Sequence, residues 1–108
     1  MKYISRSIEQ LAQKIDKMFK CVLVTGARQT GKFTMLKKLF PNKKYVSFDD
    51  PFVEEQAKDN PNIFIMLNQP PVIYDEVQRV TNIFRYIKTE CDNTQSNGLF
   101  CLSGSQPF

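Results

Sequence analysis

Histidine and tryptophan are absent from this chain, cysteine occurs three times and glycine four. Without histidine there is no Ser-His-Asp triad, no imidazole general base and no His-bearing zinc site. The scattered Cys21, Cys91 and Cys101 are too few for a disulfide framework and point to a reducing cytoplasm. Long apolar runs are missing too. The longest pieces, such as residues 99–102, are strand-sized, well short of the ~20 residues that cross a bilayer. The start, Met1-Lys2-Tyr3-Ile4-Ser5-Arg6, lacks the apolar stretch and cleavage site of a secretory leader. Internal repeats, low-complexity tracts and interdomain linkers are not seen either. What is there is an ordinary globular composition: 108 residues, 42% hydrophobic and 24% charged, enough for one modest domain.

The net charge is +4, from 15 Lys and Arg against 11 Asp and Glu. A basic balance marks some nucleic-acid partners. Here the positives are spread, with one knot at Lys37-Lys38 and Lys43-Lys44. That knot reads as a solvated helix end and its loop. The other reading is a nucleic-acid contact with only Phe40 and Tyr45 nearby to stack on bases.

Ser7-Ile8-Glu9-Gln10 has the form of a capping box and predicts a helix over 7–19, with Ile8, Leu11, Ile15, Met18 and Phe19 at helical spacing. Cys21-Val22-Leu23-Val24-Thr25, ending at Gly26, suits a strand buried on both faces. Met35, Leu36, Leu39 and Phe40 mark a second helix that stops before Pro41. Tyr45-Val46-Ser47-Phe48 predicts the next strand, and Asp50-Pro51 and Asn60-Pro61 each offer an N-cap followed by proline at the first helical position. Val72-Ile73-Tyr74 is a third strand with Asp75-Glu76 at its tip. Thr81 is the expected cap of a helix carrying Ile83, Phe84, Ile87 and Cys91. Leu99-Phe100-Cys101-Leu102 is a fourth strand, with Ser103-Gly104-Ser105 beyond it. Strands alternating with helices predict right-handed crossovers and a mainly parallel α/β sheet. The chain stops six residues after residue 102 with no closing helix, which predicts a domain cut before its end.

Three segments carry chemistry. Gly26-Ala27-Arg28-Gln29-Thr30-Gly31-Lys32 matches the phosphate-binding pattern G-x-x-x-x-G-K. Its glycines let the backbone curl so that N–H groups converge on an anion. The following helix adds its positive end, and the lysine reaches the outer phosphates. Val72-Ile73-Tyr74-Asp75-Glu76 is an apolar strand ending in adjacent acids, the first suited to hydrated Mg²⁺ and the second to activating a water. Neighbouring side chains on a strand diverge, so the two acids can serve different partners. Leu102-Ser103-Gly104-Ser105-Gln106 puts small hydroxyls at a strand tip, where one can contact the γ-phosphate or the attacking water.

Together these segments resemble the N-terminal part of the AAA+-type P-loop ATPases of bacteria and archaea that carry a C-terminal domain of unknown function. The resemblance runs from about residue 3 to the end. It rests on residues 24–32, on Tyr45-Val46-Ser47-Phe48-Asp49-Asp50-Pro51, on Pro71-Val72-Ile73-Tyr74-Asp75-Glu76-Val77-Gln78 and on residues 102–106. It implies a three-layer P-loop NTPase fold with visible strand order 1-4-3-2, cut before a fifth strand. It implies Walker A at 26–34, Walker B at 72–76 and a sensor-1 position among Ser103 and Ser105. ATP or ADP is the implied ligand, Mg²⁺ the implied metal, and the full-length family implies a homo-oligomer. Nucleotide contacts then fall to Gly26, Ala27, Arg28, Gln29, Thr30, Gly31, Lys32, Phe33 and Thr34, the metal to Asp75, and catalysis to Glu76 and Ser105.

One departure stands out. The family has Thr or Ser after the lysine, where this chain has Phe33. That hydroxyl is a direct Mg²⁺ ligand, and Mg²⁺ wants six near-octahedral oxygens. A phenyl ring supplies none, and Thr34, turned about 100° along the helix, points elsewhere; the resemblance implies that it faces the α-phosphate. The absence of the usual arginine finger acts in the same direction. The expected protein is thus an ATP-binding AAA+-type domain, with hydrolysis impaired by Phe33 and truncation. The alternatives are a small P-loop phosphotransferase, a non-catalytic nucleic-acid or protein interaction module, or an inactive fragment.

Overall fold

Short runs of Val, Ile, Tyr and Phe, each too short for a helix, pair as four strands: β1 (Cys21–Gly26), β2 (Lys44–Ser47), β3 (Val72–Asp75) and β4 (Phe100–Ser105). They form one all-parallel sheet in the order β1-β4-β3-β2, as expected. The computed structural model describes residues 6–26 and 32–105. Parallel neighbours need crossovers. Helix α1 (Arg6–Met18) leads into β1, and the crossovers are supplied by α2 (Lys32–Leu39), α3 (Pro51–Asp59), α4 (Pro61–Leu67), a 3-10 turn (Val77–Arg79) and α5 (Ile83–Asp92).

The strand alternation divides the core between the two faces of the sheet. Val46, Phe48, Val72, Tyr74, Phe100 and Leu102 point to the face covered by α3, α4 and α5, where Phe64, Ile83 and Ile87 meet them. Phe48, Phe64, Tyr74 and Phe100 sit there with ring centroids 5.5–5.9 Å apart. Ile73 and Cys101 point the other way, against Leu36, Leu39 and Phe40 at the end of α2. The faces thus have different jobs. One is a solid aromatic core, and the other carries α2 and, farther along the strands, the polar side chains described below.

Both Asx-Pro signals are found as expected. The Asp50 carboxylate accepts from Phe52 N at 2.9 Å, and the Asn60 amide oxygen accepts from Ile63 N at 3.2 Å. Other expectations need correction. Helix α1 already includes Arg6, so Ser7 lies inside it and does not cap it. Strand β1 is an edge of the described sheet and not buried on both faces; Leu23 keeps 54% of its surface exposed. Thr81 does not cap α5, which starts at Ile83. Val80 breaks the winding between the 3-10 turn and the helix (φ −130°, ψ 74°), and its carbonyl accepts from Ile83 N at 3.1 Å, so the first helical donor needs no side chain. Strand β4 runs on through Ser105, because Ser103, Gly104 and Ser105 pair with Val24, Thr25 and Gly26 instead of turning away.

The basic knot is dispersed. Lys43 is only 3% exposed: its ammonium donates to Gly98 O at 2.5 Å, pairs with Asp16 at 3.1 Å and lies 5.6 Å from the centre of the Phe40 ring. Lys37 donates to Lys43 O, Lys38 pairs with Glu9 and Lys44 donates to the Asn68 side chain. Each of the four ammonium groups has a partner on the protein, and of the four only Lys43 is buried. Gly98 fits this corner because it has φ +71° and because a Cβ there would sit 3.1 Å from the Asp16 carboxylate.

Candidate functional site

At the C-terminal ends of β3 and β4, the side chains on the α2 face change from apolar to polar. Asp75 follows Ile73, and Ser103 and Ser105 follow Cys101, each two residues on and therefore on the same face. Lys32, the first residue of α2, reaches over them. Its ammonium lies 3.1 Å from Asp75 Oδ1 and 3.4 Å from Glu76 Oε2. The two carboxylates are buried, with 3% and 4% of their residues' surface exposed. One cation between two buried anions lowers the cost of keeping both charged.

The remaining oxygens are also engaged. Asp75 Oδ1 accepts from Ser103 Oγ at 2.7 Å and from Glu76 N at 2.9 Å, and Oδ2 accepts from the Tyr45 hydroxyl at 2.5 Å. Glu76 accepts from Ser105 Oγ at 3.1–3.2 Å and from Gln78 Nε2 at 2.8 Å. The Gln78 carbonyl oxygen is buried and has no hydrogen-bond partner. Glu76 is left-handed, with φ 56° and ψ 45°, a conformation a non-glycine residue adopts at a cost of about 1–2 kcal/mol. The kink ends β3 and swings Glu76 toward Ser105, while Asp75 stays in line with the strand. Tyr45 is raised above the ordinary phenol range, first by burial and then by its bond to the Asp75 carboxylate and that group's charge. It stays a donor at neutral pH.

Of the residues expected at the site, the structure brings together Lys32, Asp75, Glu76, Ser103 and Ser105. Thr34 lies on α2 and is exposed. Phe33 is 55% exposed, with one edge of its ring against Tyr45 (centroids 4.7 Å apart, planes at 84°). Gly26 ends β1 beside Ser105. Ala27, Arg28, Gln29, Thr30, Gly31 and Gln106 lie outside the described residues. Asp49 pairs with Arg79 at 3.0 Å, and Asp50 is a helix cap.

Two contributors are missed by sequence reasoning: Tyr45, read there as a strand residue, and Gln78, read only as part of the motif after the acids. Pairing gives the signal for the first. Tyr45 stands opposite Ile73 and so shares a face with Asp75, two residues farther on. Gln78 follows Glu76 by two residues in the 3-10 turn, close enough to bond it once the chain has kinked.

These donors were tested against a magnesium ion, which takes six near-octahedral oxygens. Phe33 offers none, and both Asp75 oxygens already accept from protein donors. Among the described residues no group of three or more His, Cys, Asp or Glu side chains converges on one point. The donors among the described residues do not fit the ion. A separate cavity of about 400 Å³ lies beneath the opposite end of the sheet, beside Asp16, Lys43, Pro71 and Gly98, and shares no residue with this site.

No helix among the described residues is long and apolar enough to cross a membrane. Neither a curated protein nor a solved structure matches the chain. The AAA domain family does, over residues 18–108, a span that holds the whole sheet and every side chain of the polar cluster at its C-terminal end. The chain belongs to the AAA domain family.

Proposed function

We propose that this chain is an ATP-binding P-loop domain whose hydrolytic step is impaired. The observation that carries the reading is the position of Lys32. It is a cation at the start of a helix, suspended over two buried carboxylates beside the segment that carries the glycine pattern. A polyphosphate entering there competes for Lys32 with Asp75 and Glu76, and the helix start adds further donors. In this reading residues 26–34 are Walker A, 72–76 Walker B and 102–106 the sensor-1 region. Gly26, Ala27, Arg28, Gln29, Thr30 and Gly31 wrap the phosphates, Lys32 binds the outer ones, and Thr34 approaches the α-phosphate. Glu76 is the base toward water, and Ser105 holds it.

Hydrolysis requires water to attack the γ-phosphorus as the bond to ADP breaks, with the water's proton passing to a base. Glu76 is the base in place, and its position next to Asp75 favours a water-using ATPase over a phosphotransferase, whose acceptor comes with the substrate. The impairment is assigned to Phe33, which removes an oxygen from the site. A cytoplasmic location fits the three free thiols, of which Cys101 is pushed up to about 12 and Cys21 to about 11, chiefly by burial.

Calorimetric titration with ATP and ADP tests the proposal. The wild type is expected to bind both weakly and to release little phosphate. Lys32→Ala is expected to lower affinity by about 10–100-fold, the equivalent of one charge-assisted hydrogen bond. Equal affinity in the two proteins would show that the phosphate site is misassigned.

A further inference from the structure

Phe33 does more than omit an oxygen. Its ring edge rests on the Tyr45 ring, and the Tyr45 hydroxyl donates to Asp75 Oδ2. Position 33 therefore acts on the acid through a second aromatic side chain that the phosphate-binding pattern does not contain. We infer that Phe33 and Tyr45 form a cap that holds Asp75 in place of a hydrated divalent cation, so that this site takes a nucleoside triphosphate without needing a metal. The inference rests on the nucleotide reading above and specifies how that ligand is bound.

The argument follows the donors to Asp75. When phosphate draws Lys32 away, Asp75 keeps three donors: Ser103 Oγ and Glu76 N on one oxygen and the Tyr45 hydroxyl on the other. Both carboxylate oxygens thus keep a protein donor when Lys32 is withdrawn. Asp75 Oδ2, the oxygen that Ser103 Oγ and Glu76 N do not use, is the one to which Tyr45 donates. Tyr45 comes from β2, next to β3, and strand pairing fixes its backbone, while Phe33 fixes its ring from the side of α2. Tyr45 is a positioning residue here, acting through Asp75, and Phe33 acts through Tyr45.

This makes the outcome of restoring the hydroxyl at position 33 specific. Phe33→Thr alone leaves the Tyr45 hydroxyl on Asp75, so it does not restore metal dependence. Removing both parts of the cap, in Phe33→Thr/Tyr45→Phe, does. The measurement is the ATP dissociation constant of each protein by calorimetry, in excess Mg²⁺ and in EDTA, with thermal melts to verify folding.

For the wild type the two values are expected to agree within about twofold, and for Phe33→Thr within about threefold. The double variant is expected to bind ATP about tenfold more tightly in Mg²⁺. Tyr45→Phe, which keeps the ring and removes only the hydroxyl, gives an intermediate gain and serves if the double variant is unstable. A wild type that binds about tenfold more tightly in Mg²⁺ overturns the inference and leaves the nucleotide reading standing. Phe33→Thr alone matching the double variant, or a Tyr45→Phe protein as metal-indifferent as the wild type, also overturns it. ATP bound in neither buffer removes the nucleotide reading, and the inference falls with it.

Discussion

Lys32 contributes to the fold whether or not it meets a phosphate, because among the described residues it lies within ion-pair distance of both Asp75 and Glu76. Removing it without ligand leaves two carboxylates in a site that is almost wholly buried. Breaking a buried ion pair from one side typically costs about 3–5 kcal/mol. Lys32→Ala is therefore expected to melt well below the wild type even in the absence of nucleotide. Adding Glu76→Gln to that variant should recover part of the loss, since a neutral amide still bonds Ser105 and no longer needs the cation. Thermal melts of the four proteins in this cycle measure the coupling, and strictly additive losses would show that Lys32 and Glu76 do not depend on each other. At this scale the sequence is legible where a motif singles a residue out: spacing marks Lys32, Asp75 and Glu76, and the structure brings the three together. It is not legible where a role comes from strand pairing. Nothing near Tyr45 in the chain points to Asp75, and only the β2–β3 register makes the two meet.

At the scale of elements, local chemistry explains which boundaries could be read. Asp50 and Asn60 each precede a proline and accept a backbone N–H of the following turn, so both helix starts are fixed by adjacent residues. Thr81 offers the same kind of side chain, but Val80 O already serves the first donor of α5, and the cap has nothing left to do. Ser103 and Ser105 look like turn residues by composition. They are strand residues because β1 and β3 flank β4 and bury them. Propensity gives way to pairing there. The two caps give a direct test of the local account. Asp50→Ala and Asn60→Ala should each lower stability by about 1 kcal/mol, a melting shift of roughly 4–8 °C in a domain of this size. Helices α3 and α4 are adjacent, so the double variant is a fair test of additivity. Melting unchanged in both single variants would mean that neither cap holds its helix start.

The whole molecule is a thin sheet that buries reactive groups on both faces, and this sets how it responds to alkali. Cys101 has no exposed surface, and its thiol is pushed from 9.0 up to about 12, mainly by burial; Cys21 is raised to about 11 for the same leading reason. Tyr45 and Tyr74 are raised as well, in both cases chiefly by burial. An acid whose folded value lies above its unfolded value keeps its proton in the folded chain after the unfolded chain has lost it. As pH rises past about 9, the unfolded chain therefore binds fewer protons, and stability falls with pH until the folded thiols ionise near 11–12. Below about 9 their contribution is complete and independent of pH. One such thiol contributes a slope of at most about 1.4 kcal/mol per pH unit within that window. The urea midpoint is accordingly expected to stay level from about pH 7 to about pH 8.5 and to decline by about pH 10. Cys101→Val adds about one methyl group at this buried site but removes the ionisable thiol, so whatever its starting stability, its decline over the same range should be shallower. A Cys101→Val protein with the same slope as the wild type would remove Cys101 from the account and leave the loss to Cys21 and the two tyrosines. A midpoint level through about pH 10 in the wild type would show that these groups titrate alike in the folded and unfolded chains.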